Sequence, residues 1–289
     1  MVKKSNTEKS QNLKKKVYTS ESELKNLRLF IRNIVRDLRS SSYLAYRMSQ
    51  RDIKAQFRQT FLGLFWILLI PLLNTLVWIA LNATLISGEN NMSSVYIFVG
   101  SLLWSIFADS LVLPLKTIVA SRSMLVKLNF PREAIIISCI YTNMFNSIIK
   151  IIILLASLVF IVDISTVGLV IWLPAVFNLI VAGSFVGVLL APVGLLYDDI
   201  NKALPLIAQF LIYTTSALFT LPRQSAYGTL IQLNPLTWQI DFIRQALLDA
   251  NLSLINYVIY TSSVLALLLV SSWIILKLAF PAIIERLNN

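Results

Sequence analysis

The stretch that decides the fold class is VGLVIWLPAVFNLIVAGSFVGVLLAPVGLLY, residues 167–197. It carries no charged side chain, and it exceeds the ~20 apolar residues that a helix needs to cross a bilayer. Outside it the apolar residues also come in long runs, and of all 289 residues 57% are hydrophobic and 13% are charged. That charged share is about half the share found in soluble domains. The composition therefore predicts a membrane protein.

Six apolar segments are each near or above the length of one membrane span. Residues 167–197 form the fourth segment, and Pro174 and Pro192 lie inside it. The other five segments are residues 61–86, 95–118, 134–162, 203–221 and 254–280. The predicted fold is all-α and polytopic: a six-span domain over residues 61–285, preceded by N-terminal amphipathic helices and containing a short external helix before the last span.

The distribution of basic residues predicts the orientation. Of the 25 Lys and Arg residues, 15 lie within residues 1–60, where there are only five acids. Four more surround the connection after the second segment, whereas the connections after the first and third carry none. Because Lys and Arg accumulate on the cytoplasmic side, both termini are predicted to be cytoplasmic. A basic tail is also typical of nucleic-acid binding, but its position before a span favours cytoplasmic retention, and no nucleic-acid partner is expected.

The first 60 residues divide into a tail and a helical region. Residues 1–22 are polar and Lys/Ser-rich, which predicts a disordered basic tail. Residues 23–60 have helical periodicity and predict cytoplasmic or interfacial amphipathic helices, with a break at residues 40–42. The second of these helices, residues 43–60, carries a basic stripe with an aromatic beside it: Arg47, Arg51, Lys54, Arg58 and Phe57. This pattern favours a helix lying on an anionic membrane surface, and a solvated helix is the alternative.

Several kinds of chemistry are excluded by the composition. The chain has no His, and its only thiol, Cys139, lies inside an apolar run. These absences exclude His or Cys metal sites and Cys–His catalysis. No phosphate-binding P-loop is present. We therefore expect no catalytic residue, no metal site and no cofactor on this chain, which cannot drive transport through a P-loop of its own.

Two ionisable residues, Asp109 and Lys150, lie well within predicted spans. Charges inside a membrane are costly and suggest either pairing or function. The structural interpretation is an ion pair, or a Lys150 side chain that extends towards the interface. The functional interpretation is an ion relay in a secondary transporter. A single pair is a poor relay, so the structural interpretation is favoured.

Residues 222–253 form an external segment that is too polar to span the membrane and is predicted to act as a gate-like element. Asn234 followed by Pro235 is typical of a helix start. Within this helix Asp241 and Arg244 are three residues apart and can pair. The external gate candidates are Asn234, Pro235, Trp238, Asp241 and Arg244. A plain surface pair is an equally good interpretation of the two charges.

The connection at residues 122–133 is the longest predicted cytoplasmic connection between spans. It combines apolar side chains with basic ones, as expected of a surface that docks a partner, whereas the alternative is a solvated basic loop. The coupling candidates are Arg122, Met124, Leu125, Lys127, Leu128, Phe130, Pro131, Arg132 and Glu133. Four aromatic residues of the first two predicted spans are candidates to line a channel, and the same residues also serve as interfacial anchors or packing residues: Phe65, Trp66, Trp104 and Phe107.

Three blocks carry a resemblance to a known family. They are RDIKAQFRQTFLGLFWILLIPLL at residues 51–73, KLNFPREAIIIS at 127–138 and NPLTWQIDFIRQALL at 234–248. In this order they resemble the permeases of bacterial polysaccharide exporters in the type-two ATP-binding cassette superfamily, which export O-antigen (the lipopolysaccharide glycan), capsule or teichoic acid. The turn at residues 197–200, Tyr-Asp-Asp-Ile, departs from the basic residue usual in that family.

The resemblance implies a homodimer in the bacterial cytoplasmic membrane, with a channel at the dimer interface and residues 122–133 coupling it to the ATPase. Two separate nucleotide-binding ATPase subunits would bind ATP and Mg on its cytoplasmic face. The substrate would be a glycan on a polyprenyl-lipid carrier, and the surrounding membrane lipid is a further partner. The alternatives are a small-lipid or drug exporter of the same superfamily and an intramembrane enzyme, which would need clustered polar catalytic groups.

Overall fold

The computed structural model of this chain describes residues 27–58, 63, 65–85, 94–127, 133–159, 166–218, 226–248 and 253–288. All regular elements in these ranges are helices, which confirms the predicted all-α class. The helices are α1 (Leu27–Phe57), α2 (Phe65–Leu85), α3 (Ser94–Ala120), α4 (Arg122–Lys127), α5 (Glu133–Leu158), α6 (Thr166–Leu196), α7 (Asp198–Leu211), α8 (Ala226–Leu233), α9 (Pro235–Leu248) and α10 (Ile255–Asn288). The predicted tail at residues 1–22 lies outside the described residues.

Four of these helices are long and apolar enough to cross a membrane: α3, α5, the part of α6 at Gly168–Leu196 and the part of α10 at Ile255–Leu276. They correspond to the second, third, fourth and sixth predicted spans and support a multi-pass membrane protein. Helix α2 has 21 residues and occupies the first predicted span. The total of six spans stays a prediction.

The fifth predicted span, residues 203–221, is not one continuous helix. Helix α7 has 14 residues, and a 3₁₀ turn at Ile212–Thr214 follows it. Helix and turn together cover about 27 Å, against a hydrocarbon core of about 30 Å. The Thr215 hydroxyl donates to the Ile212 carbonyl at 2.8 Å and accepts from the Ala217 amide at 3.3 Å, so the chain turns there.

The predicted break at residues 40–42 is wrong, because α1 is a single helix of 31 residues. Serine was expected to cap a new helix, but the Ser42 hydroxyl donates to the Arg39 carbonyl at 2.8 Å within the same helix. Ser41 is completely buried. One face of α1 packs along α5, and Tyr46 meets Tyr141 edge to face with ring centroids 6.4 Å apart. Packing against α5 outweighs the weak helix-breaking tendency of serine.

Helix α3 lies at the centre of the fold and has its most extensive contact with α6. Close approach of the two backbones requires glycine at two positions of α6. A Cβ atom on Gly183 would lie 2.7 Å from the Phe107 carbonyl oxygen, and a Cβ atom on Gly187 would overlap the Leu111 carbonyl oxygen. Small residues four apart are the usual means by which membrane helices pack closely.

Polar side chains also cross the core between α3, α5 and α6. The Asn143 amide nitrogen donates to the Ser110 hydroxyl at 3.0 Å and to the Ser184 hydroxyl at 3.3 Å. Ser110 in turn donates to the Ile106 carbonyl of its own helix at 2.7 Å. Hydrogen bonds of this kind hold apolar helices in register. Hydrophobic burial alone does not do so in a membrane, because lipid tails are as apolar as a neighbouring helix.

Candidate functional site

Arg244 of α9 is the centre of a buried polar cluster, which we call the Arg244 cluster: Arg244, Asp241, Ser216 and Tyr96. The Arg244 side chain is 1% exposed. One guanidinium nitrogen, Nη2, donates to the Ser216 carbonyl at 2.7 Å and to Asp241 Oδ1 at 2.8 Å. The other, Nη1, donates to the Tyr96 carbonyl at 3.2 Å, and the guanidinium lies 5.5 Å from the Tyr96 ring centroid. The predicted Asp241–Arg244 pair is therefore present, and it is buried on the arginine side.

Electrostatics within the Arg244 cluster depend on burial and on one carboxylate. Burial lowers the pKa of the Arg244 guanidinium, and Asp241 opposes that shift. Ser216 also donates its hydroxyl to Asp241 Oδ1 at 2.7 Å, which stabilises the carboxylate. An arginine stays protonated. Its buried charge is therefore stabilised by the Asp241 carboxylate and by the Ser216 and Tyr96 carbonyls.

The Arg244 cluster joins three segments that are distant in sequence. Tyr96 lies in the first turn of α3, Ser216 in the turn after α7, and Arg244 on α9. The same turn packs closely against the backbone of α3, because a Cβ atom on Gly100 would overlap the Ala217 carbonyl oxygen. The cluster therefore fixes α9 and the α7 turn against this end of α3.

The start of α9 agrees with the sequence prediction. Asn234 Oδ1 accepts from the Leu236 amide at 3.0 Å, which is the expected cap, and its amide nitrogen donates to the Thr214 carbonyl at 3.2 Å. Pro235 begins the helix. The Trp238 indole donates to the Gln232 carbonyl at 2.7 Å. These contacts tie α9 to α8 and to the α7 turn, while a gating role for the five predicted residues stays a prediction.

The predicted coupling segment is partly described. Residues 128–132, which include Leu128, Phe130, Pro131 and Arg132, lie outside the described residues. Arg122 and Lys127 are the first and last residues of α4, and Glu133 is the first residue of α5.

Within α4 the side chains separate by character. Arg122 is exposed, Met124 is half-buried and Leu125 is buried at 5% exposure. Leu125 therefore belongs to the protein core, and Met124 remains as a half-buried apolar contact. Helix α4 also contacts α10. Arg51 Nη1 of α1 lies 4.0 Å from Met124 Sδ, so α4 adjoins both the first and the last helix of the described fold.

The predicted basic stripe lies on the face of α1 that does not pack on α5. Arg47, Arg51, Lys54 and Arg58 are all exposed. They line one open surface cleft together with Gln50 and Ala55. Beside this stripe, Phe57 meets Phe145 of α5 with ring centroids 6.5 Å apart. One face of α1 is therefore apolar and anchored, while the other presents four positive charges.

The channel-lining candidates fall into two groups. Trp104 and Phe107 of α3 are each 4% exposed and pack on one another with ring centroids 5.1 Å apart. Phe65 and Trp66, at the start of α2, are 45% and 51% exposed. Of these four aromatic side chains, only the second pair is exposed, and a channel role stays a prediction for all four.

Asp109 and Lys150 form an ion pair, as the structural interpretation of their positions predicts. The distance from Lys150 Nζ to Asp109 Oδ2 is 2.7 Å. The same ammonium donates to the Ser105 carbonyl at 2.9 Å and to the Ser105 hydroxyl at 2.5 Å. Sequence reasoning missed Ser105 here, as it missed Ser216 and Tyr96 in the Arg244 cluster. Ser105 was detectable in principle, because it lies one turn before Asp109 on the same helix face.

No family model matches the chain. A curated protein, the O-antigen export system permease protein RfbA of Myxococcus xanthus, is 25% identical over 230 residues, which cover 75% of this chain and 86% of that protein. This similarity confirms the resemblance carried by the three sequence blocks. Over most of the length of that protein, the chain is therefore similar to a permease of an O-antigen export system.

Proposed function

We propose that this chain is the membrane-spanning permease subunit of an ATP-driven exporter, which moves lipid-linked polysaccharide across the bacterial cytoplasmic membrane. The observation that carries the proposal is the similarity to an O-antigen export permease over 86% of that protein's length. Two copies of the chain form the channel. Two separate ATPase subunits bind ATP and Mg and supply the energy.

The position of α4 supports a coupling role. It is a short helix between α3 and α5, and it contacts α10. Its half-buried Met124 lies beside Arg51 of α1. An ATPase that displaces α4 would therefore act on α3 and α10, which α4 contacts, and on Arg51 of α1. The buried Leu125 makes α4 move with the core rather than independently of it.

The exposed face of α1 supports contact with an anionic membrane surface. Four cations at Arg47, Arg51, Lys54 and Arg58 line its open cleft, and the opposite face is held by α5. Lys and Arg side chains near an anionic leaflet are attracted to it, and Arg51 is also paired with Asp52 at 2.8 Å. Phospholipid headgroups, or the phosphates of a lipid carrier, are the anions that we propose bind in this cleft.

The test is depletion of this protein in its native host, followed by extraction of polyprenyl-linked glycans and surface glycans. We expect completed glycan to accumulate on the cytoplasmic side while it disappears from the cell surface. A plasmid copy of the wild-type chain should reverse both changes, which controls for effects on neighbouring genes. Unchanged glycan pools would contradict the proposal and favour export of small lipids or drugs.

A further inference from the structure

The carboxylate of Asp109 is half exposed although it lies deep within a membrane-spanning helix. Its side chain is 47% exposed, whereas that of Lys150 is only 2% exposed. Asp109 lies eleven residues before the end of α3 at Ala120, or about 16 Å along the helix. A depth of about 16 Å is near the middle of a hydrocarbon core of about 30 Å. The pair is therefore asymmetric: the cation is buried and the anion reaches the protein surface.

The hydrogen bonds leave one carboxylate oxygen available. The Lys150 ammonium has three donors, and it makes three contacts, with Asp109 Oδ2, the Ser105 carbonyl and the Ser105 hydroxyl. Asp109 uses only Oδ2, and none of the described residues donates to Oδ1. Lys150 thus fixes the orientation of the carboxylate, but it donates only to Oδ2 and leaves Oδ1 without a donor among the described residues.

Asp109 lies on a stripe of α3 that opens towards α4. Helical periodicity places Lys116, Val112, Asp109 and Ser105 on one face. Lys116 is exposed, and the next three residues are partly exposed. On the N-terminal side of Ser105, the next residues on this face of α3 are buried. Leu102 and Ser101 are buried, and the Ser101 and Thr75 hydroxyls, 2.7 Å apart, hold α2 against α3. The accessible stripe therefore runs from the α4 end to mid-depth and ends at Ser105 and Asp109.

Contact between this stripe and lipid would be energetically unfavourable, because the stripe contains the Asp109 carboxylate. A charged side chain at the centre of a bilayer is costly, and such residues face a polar cavity or pair with one another. Pairing with Lys150 offsets only part of the cost here, because about half of the carboxylate side chain remains outside the protein. The free oxygen therefore requires hydrogen-bond donors that are not provided by the described part of the chain.

We propose that Asp109 lines the path of the exported glycan and that its free carboxylate oxygen accepts hydrogen bonds from sugar hydroxyl groups. Lys150 is a positioning residue that holds the carboxylate. This inference rests on the proposed function and adds a specific contact with the cargo. Hydroxyl groups are the donors that a glycan presents in every repeat, and one fixed acceptor suits repeated, transient contacts better than a deep pocket. On the proposed orientation, the stripe is entered from the cytoplasmic side.

The first test measures whether water reaches the stripe. Val112→Cys, introduced into a Cys139→Ala chain in the assembled transporter, leaves the ion pair intact. Leu267→Cys is the control, because Leu267 is 72% exposed in α10, a helix whose apolar stretch is mostly exposed. In inside-out vesicles a charged, membrane-impermeant thiol reagent should label Val112→Cys at least about tenfold faster, since thiolates form in water and not in lipid. Equal rates would overturn the proposal.

The second test separates contact with cargo from structural support. Asp109→Leu alone leaves the Lys150 charge buried without its partner, so the matched variant combines Asp109→Leu with Lys150→Met. If the pair were only structural, this double variant would restore both protein yield and export. We expect normal yield but export reduced roughly tenfold, the usual effect of losing a hydrogen bond to a charged group. Normal export at normal yield would overturn the sugar contact.

The two tests separate this inference from the proposed function. Labelling of Val112→Cys does not depend on the identity of the cargo. If depletion blocks glycan export but Val112→Cys is not labelled, the exporter stands and the role of Asp109 is overturned. If Val112→Cys is labelled but glycan pools are unchanged on depletion, the proposed function is overturned and the sugar contact with it.

Discussion

At the scale of single residues, the fold buries two cations in different ways. Lys150 pairs with a carboxylate that remains half exposed. Arg244 instead donates to two backbone carbonyls, those of Ser216 and Tyr96, as well as to Asp241. A guanidinium with fixed acceptors on three segments acts as a structural tie. Removing one member of such a buried set leaves the others unsatisfied, which is typically more destabilising than losing any exposed pair.

Substitution of Arg244 by Met should therefore destabilise the protein. The change leaves the Asp241 carboxylate and two carbonyls without their donor, a loss of about 3–5 kcal/mol. We expect the thermal unfolding midpoint of the detergent-purified protein, measured by intrinsic fluorescence, to fall by roughly 10 °C. Arg286→Met is the matched control, because Arg286 is exposed near the end of α10. Similar midpoints for both variants would show that the Arg244 cluster contributes no special stability.

At the scale of elements, local sequence signals predicted the start of α9 correctly and the break in α1 wrongly. The cap at Asn234 and the proline start of α9 were predictable, because capping is decided within three residues. The break in α1 was predicted wrongly, because the contact with α5 that keeps the helix continuous involves residues about a hundred positions away. Local signals specify helix ends, but tertiary contacts decide whether a weak break is used.

Charge reversal in the coupling segment tests the proposed role of residues 122–133. Lys127→Glu combined with Arg132→Glu places two acids where a partner surface is expected to be complementary to two bases. We expect co-purification of the ATPase to fall at least about tenfold, because like charges at an interface cost several kcal/mol. Lys202→Glu combined with Arg286→Glu reverses the same number of charges at exposed positions outside the segment. Normal ATPase yield with the first pair would count against coupling through this segment.

At the scale of the whole molecule, the path of α7 and its turn decides how many times the chain crosses the membrane. Helix α7 is too short to be a span by itself, yet with its turn it covers most of the hydrocarbon thickness. The turn is also held at the Tyr96 end of α3 through the Arg244 cluster. That end lies opposite the end of α3 that leads into α4. The tertiary contacts therefore favour a crossing that helix length alone does not establish.

Site-directed labelling tests this crossing. Asp199→Cys at the start of α7 and Ala226→Cys at the start of α8 are exposed positions on either side of it. In a Cys139→Ala chain, an impermeant thiol reagent added to whole cells should label Ala226→Cys and leave Asp199→Cys unlabelled. Ser123→Cys, exposed on α4, is the cytoplasmic reference and should match Asp199→Cys. Labelling of Asp199→Cys and Ala226→Cys from the same side would reduce the number of spans.

Composition and apolar periodicity predicted the membrane class, the all-α fold and four of the long helices, and sequence motifs predicted the resemblance to export permeases. The first two depend on composition and on apolar periodicity within single segments, whereas the resemblance depends on the order of three sequence blocks. Only the tertiary structure decided that Trp104 and Phe107 are buried, that Arg244 reaches the Tyr96 carbonyl 148 positions away, and that Asp109 remains open while Lys150 is enclosed. The reason is physical: burial and hydrogen-bond partners depend on which helices pack together, and close approach at Gly183 and Gly187 sets that packing for α3 and α6.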